Sequence, residues 1–405
     1  MKALTKIGIG FLSLAAVALW FTSCSSEDVA QNGGGLNEKD QRVLLLSVNT
    51  GNLGTRSALT DDEKQINDMT VGIYDKSGNY RVVASLTSGT TIKEASGTTP
   101  GTFTTTSGAK VVTSTLQADD QVLVAVNTVD NSGTTAFTSK PNSPTDFSNV
   151  TMDAVTALTG SSSSSTIDAK KFPKFGNVTT LTAGSSSSTF TATVKVKNLV
   201  SKVTLEDLKV EFSGPYANAS FTPSEIFLLN VPNKLAFSAT GQADPSTSHF
   251  AYLNGTDIAK PAGASVTKTD VLAKTITGVS PLSSVVGGTA SYKSAPILYT
   301  IPNSSTSNKT ILVIAGNFKK DGSGAGETVY YPLALNENYS TEHPTGAAAD
   351  GGTKSQTLAG KNYKCTVVIK TIGASNPWVT TGPQTAELTV NVADWDDADQ
   401  TTTFE

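Results

Sequence analysis

Short apolar or alternating runs, each ended by a turn cluster, recur along this chain from residue 43 almost to its last residues. Runs of this length suit strands and are too brief for most helices. Met69-Thr70-Val71-Gly72-Ile73-Tyr74 is one such run. Asp75-Lys76-Ser77-Gly78-Asn79 then supplies turn chemistry, and residues 80–86 read as the return strand of a hairpin. Residues 121–129 (QVLVAVNTV) are strongly apolar and predict a central strand. Residues 191–199 predict another, half-exposed because Val194 and Val196 alternate with lysines. Further strands are expected at 203–212, 227–231, 296–301, 310–315, 329–335 and 363–372. One stretch, 143–158, reads differently. Phe147, Val150, Ala154, Val155 and Leu158 fall at near-helical spacing between a Ser-Pro start and Gly160, predicting one short helix over a sandwich end. The serine runs 161–165 and 185–188 predict solvated loops. Many short strands with few helices give an all-β chain of two β-sandwich domains in tandem, divided near residue 198, with no internal repeat.

Composition agrees and removes several classes of chemistry. Ser and Thr make up about a quarter of the 405 residues, whereas charged residues are 16%. The usual charged share is about 25%, so this reads as an extracellular β protein and not a helical enzyme. Net charge is -4 with no basic block, which argues against a nucleic-acid partner. Two His and two Cys leave little material for a metal cluster or a disulfide framework, and no cofactor is expected.

The two ends are the most informative segments. Lys2 and Lys6 precede an apolar stretch, 7–21, of signal-peptide length, and Phe21-Thr22-Ser23-Cys24 ends it with small residues before a cysteine. That pattern resembles a bacterial lipobox, in which the cysteine, here Cys24, carries lipid. Ser25-Ser26-Glu27-Asp28 resembles the acidic export tag of surface lipoproteins in the Bacteroidetes. With Cys24 lipidated, Cys365 has no partner and reads as a buried thiol in a strand. Residues 31–35 (QNGGG) form a flexible tether. Val43, Leu44, Leu45, Leu46 and Val48 follow, apolar on both faces, as in a strand buried on both sides and not at an edge. Residues 50–57 form a Gly-punctuated loop carrying Arg56, an exposed proteolytic site. At the far end, Ala386, Leu388, Val390 and Val392 alternate with polar residues before an acidic bend and the final residues. A terminal strand of this kind is free to move.

Other candidate sites fail on their spacing. Asp394, Asp396, Asp397 and Asp399 lack the glycine and distal glutamate of a calcium loop. Asp61-Asp62-Glu63 reads as a solvated turn. His249 and His343 lie in polar loops with no nucleophile elbow. Residues 322–326 lack the Lys-Ser/Thr ending of a phosphate loop. Trp378 reads as packing and not as a sugar platform.

Taken in order, these segments resemble the fimbrillins of the Bacteroidales, the major subunits of type V pili. The resemblance covers most of the chain. It rests on MTVGIYDKSGN and QVLVAVNT in the first half, and in the second on VKNLVSKVTLEDLKV, FTPSEIFLLNVPNK, KTILVIAGNFKKDG, TVYYPLALN, YKCTVVIKTIGASNP and TAELTVNVADW. It implies a non-enzymatic subunit with transthyretin-like sandwiches, exported as an outer-membrane lipoprotein and cut by an Arg-specific protease. The matching cut falls between Arg56 and Ser57. Removal of the 43–48 strand would open a groove that another copy fills with its terminal segment, propagating a head-to-tail filament. The implied divisions are a signal at 1–23, a propeptide at 24–56 and domains at 57–198 and 199–405. The donor spans about 385–405, with Ala386, Leu388, Val390 and Val392 pointing inward and Trp395 and Phe404 as anchors. Implied partners are copies of the chain, the protease, the outer membrane through the lipid, and accessory anchor and tip subunits. Rival readings are a tip or accessory adhesin of the same pilus, and a membrane-anchored glycan-binding lipoprotein.

Overall fold

Two alternating patterns, one near each end of the chain, are built into different sheets. The computed structural model describes residues 42–49, 60–87, 92–94, 102–105, 111–113, 115–184, 186–247, 249–260, 266–294, 296–338, 347–349, 353, 356–379, 382 and 385–394. All belong to one unit, Leu36–Glu405. Cys24, Arg56, Ser57, His343, Trp395 and Phe404 lie outside the described residues, as does the signal segment.

The first part of the chain supplies strands β1 (Arg42–Asn49), β2 (Asp68–Tyr74), β3 (Tyr80–Thr87), β4 (Gln121–Val126), β5 (Lys174–Val178) and β6 (Thr189–Lys195), with short helices α1 (Asp61–Lys64), α2 (Pro144–Ser148) and α3 (Ala154–Thr159). One sheet places β1 between β6 and the short strands Thr102–Thr105 and Val111–Thr113. The facing sheet runs Lys197–Asn198, β5, β4, β2, β3. Leu44, Leu46 and Val48 meet Val71, Ile73, Val122 and Val124 between the two sheets. The β2–β3 hairpin turns as its sequence requires: the Asp75 carboxylate accepts from Ser77 N and Asn79 N, and Gly78 has φ 85°.

The second part supplies β7 (Ser201–Val210), β8 (Ser220–Leu229), β9 (Ile311–Lys319), β10 (Glu327–Ala334), β11 (Lys361–Ile369) and β12 (Ala386–Asp394). One sheet orders Ser291–Tyr292, β7, β11, β12, with Ile297–Thr300 also on β7. The other orders Ala273–Thr275, β8, β9, β10. Leu205, Leu208, Phe221, Leu228, Ile314 and Val367 fill the space between them. The protein is thus all-β, built of two β-sandwiches with a few short helices.

Two expectations need correction. The first is two-sided burial of residues 43–48. Leu44, Leu46 and Val48 are buried, but Leu45 is 38% exposed and Val43 half-buried. Burial on both faces belongs to β2 instead, which is buried along its whole length. The facing sheet has a third layer: Tyr74, Leu123, Ala125 and Phe175 pack outward against Phe147 of α2 and Leu158 of α3. No such layer covers Leu45 among the described residues. The second is the single helix at 143–158. Its caps are where expected, Ser143 Oγ accepting from Asp146 N and Gly160 left-handed at φ 70°. Between them, however, Thr151–Asp153 is a strand paired with Lys234–Ala236. A partner some eighty residues away in sequence outcompetes continuation of the helix there.

Candidate strand-exchange site

β1 is an interior strand. It runs parallel to β6 in the register Val43↔Thr189 to Asn49↔Lys195, and antiparallel to Val111–Thr113 and Thr102–Thr105 on its other side. One row of backbone groups is therefore paired from Val43 to Asn49 and the other at its two ends, Arg42–Leu44 and Ser47–Asn49. The Arg42 guanidinium donates to the Leu116 carbonyl at its N-terminal end. Leu44, Leu46 and Val48 cover a floor made by β2, β4 and β6. Their burial is worth roughly 5–9 kcal/mol at about 1.5–3 kcal/mol per side chain. Taking β1 away would leave a slot with unpaired backbone on both rims and an apolar floor, the two features that recruit an added strand.

The chain that follows is fastened at several points. Thr60 and Glu63 form a capping box around α1. Glu63 was expected in a solvated turn; instead it is 1% exposed, because Oε1 accepts from the Tyr299 hydroxyl at 3.1 Å and faces Lys202 Nζ at 3.6 Å. Burial, then the Glu63 charge, pushes the Tyr299 hydroxyl above its ordinary range. Asn127, left-handed at φ 56°, donates to the carbonyls of Gln65, Lys170 and Phe172 and accepts from Asn67 N. Residues 60–67 are thus tied to both sandwiches, while the contacts of β1 among the described residues lie within the first sandwich. Neither Glu63 nor Asn127 could be picked out by local pattern, since their partners are distant in sequence.

β12 is differently placed. It pairs antiparallel with β11 over Ala386↔Ile369 to Asp394↔Lys361, and among the described residues that is its one strand partner. Ala386, Leu388 and Val390 are buried in the second sandwich, and Val392 is half-buried against it. On the outer edge Val390 N donates to Asn338 Oδ1 at 2.6 Å, and on the β11 side Lys370 pairs with Glu387 at 2.6 Å. Within the chain, Ala386, Leu388 and Val390 point into their own sandwich. The two sets of predicted site residues, on β1 and β12, therefore occupy different sheets and are not brought together within one chain.

The remaining chemistry is sparse. Cys365, opposite Val390, is fully buried, and burial pushes its thiol up to about 12. Among the described residues no group of three or more His, Cys, Asp or Glu is placed to hold a metal ion. Trp378 packs with Tyr330 over Phe227 and Val313, its indole N–H donating to Ile258 O at 2.9 Å.

No protein-family model and no curated protein matches the chain. Solved structures do, and they share the tandem β-sandwich class. A fimbrilin (fimA) from Porphyromonas gingivalis W83 matches at a TM-score of 0.58 and 16% identity, over 89% of this chain and 99% of its own. A candidate cell adhesion protein from Bacteroides eggerthii matches at a TM-score of 0.57 and 19% identity, over 88% and 96%. Another, from Parabacteroides distasonis, matches at 0.57 and 16%, over 88% and 100%. The structure neighbours of this chain are thus Bacteroidales fimbrillin and cell adhesion proteins, and at these identities the likeness is one of fold.

Proposed function

We propose that the chain is a structural subunit of a cell-surface fimbria that polymerises by strand exchange. The observation that carries this reading is the position of β1: an apolar strand seated inside a sheet, followed in sequence by a Gly-punctuated stretch that carries Arg56. In this reading Cys24 holds the precursor at the outer membrane, and cleavage between Arg56 and Ser57 releases β1. The 57–198 and 199–405 segments are the two domains of the mature subunit. A donor from the 385–405 segment of another copy fills the slot, with Leu388, Val390 and Val392 taking the places of Leu44, Leu46 and Val48, and Trp395 and Phe404 anchoring the tail. β12 is an edge strand and gives up one ladder at home, whereas the slot offers two. The role is mechanical and needs no catalytic group. Anchor and tip subunits would end the filament.

Treating the purified precursor with an Arg-specific protease, followed by N-terminal sequencing and electrophoresis without boiling, tests this. The expected result is a terminus at Ser57 and a ladder of heat-sensitive multimers, with the Arg56→Ala variant remaining monomeric. An uncut precursor, or a cut chain that stays monomeric with its tail intact, contradicts it.

A further inference from the structure

Lys174, at the start of β5, is 0% exposed. Lysines are almost never buried this completely. Its Nζ donates to the Phe172 carbonyl at 3.0 Å, and Phe172 and Phe175, its near neighbours in sequence, belong to the hydrophobic core. Tyr299 packs edge-on against Phe172 at 4.9 Å. Asn198 stands directly opposite Lys174 on the antiparallel Lys197–Asn198 strand. Leu199 N donates to Pro173 O at 2.9 Å, which makes that couple the hydrogen-bonded one. Asn198 and Lys174 then form the neighbouring non-hydrogen-bonded couple, the kind whose side chains lie closest. Asn198 is also buried, and among the described residues neither Nδ2 nor Oδ1 of its carboxamide has a hydrogen-bond partner. Buried amides left in that condition are few in folded proteins and each requires a reason.

We propose that Lys174 and Asn198 become joined by an isopeptide bond in the folded protein. The attack uses the lysine amine in its neutral, nucleophilic form. Lys174 Nζ attacks Asn198 Cγ, the new C–N bond forms and the Cγ–Nδ2 bond breaks. The departing nitrogen leaves as ammonia, taking one hydrogen from the lysine amine, so no oxidant or other reactant is needed. The product is a secondary amide, which replaces the unsatisfied carboxamide of Asn198. It locks β5 to the last pairing before the chain enters β7. Closing the loop of residues 174–198 also restricts the unfolded chain, as any covalent cross-link does.

Peptide mapping of the purified full-length protein decides the matter. With the bond in place trypsin cannot cut after Lys174. A branched peptide then joins residues 172–195 to residues 198–202, lighter than the two together by one ammonia. The Asn198→Ala variant should restore cleavage after Lys174. Recovery from the wild-type protein of separate, unmodified 172–174 and 198–202 peptides in full yield would overturn the proposal, and that wild-type map decides even if the variant fails to fold.

Discussion

β1 and β12 each bury alternate residues, Leu44, Leu46 and Val48 in one and Ala386, Leu388 and Val390 in the other, yet β1 has strand partners on both sides and β12, among the described residues, on one. Similar side chains therefore sit in unlike situations. An interior strand leaves two unpaired rims behind it, and an edge strand leaves one. The lesson is a direction: a strand lost from the first sandwich creates a stronger demand for a replacement than one lost from the second. A segment able to serve both sites is drawn toward the first.

The comparison can be broken at its centre. Leu46→Ala should destabilise the precursor by about 2–5 kcal/mol, the usual cost of a large-to-small change in a core. If β1 is discarded on processing, assembled material should melt like wild type; urea unfolding before and after processing checks both. Leu388→Ala should cost the precursor about 2–5 kcal/mol as well, but its defect should persist after processing and shorten the ladder of multimers. Glu63→Gln breaks the pairing with Lys202 in the segment that, on the proposed cleavage after Arg56, stays with the processed protein. A loss of roughly 1–3 kcal/mol, read by thermal unfolding of precursor and processed protein alike, is expected.

Smaller effects sharpen the contrast. Cys365 beneath β12 has its thiol raised from 9.0 to about 12 by burial. The folded state therefore keeps its proton where the unfolded state loses it. That contribution to stability is complete below pH 9.0 and is lost as pH rises toward about 12. Thiol reagents should leave Cys365 unreacted at neutral pH until β12 departs or the chain unfolds, which labelling followed by mass spectrometry reports. Leu45→Lys, on the open face of β1, should change stability by about 0.5 kcal/mol or less, in contrast to Leu46→Ala two faces of one strand apart.

What could be read from the sequence depended on how local the deciding interaction was. The β2–β3 hairpin was legible because its alternation and the Asp75 turn lie within one short stretch. Residues 143–158 were not, because Thr151–Asp153 is decided by Lys234–Ala236. Alternation alone could not tell that Leu45 faces outward while β2 is covered on both faces; that depends on where α2 and α3 settle. Glu63 was unreadable for the same reason, its partners Lys202 and Tyr299 lying in the second sandwich. At the candidate site, the buried residues of β12 within its own sandwich followed from alternation, whereas the inward face of β1 and its parallel seat beside β6 did not.

The most direct test of strand exchange uses a synthetic peptide of residues 386–405 with the intact precursor and with protein cut at Arg56. The account predicts that the peptide binds the cut protein, does not bind the precursor, and suppresses multimer formation as it fills the slot left by β1. Equal binding to both forms, or binding to neither while multimers still assemble, would contradict it.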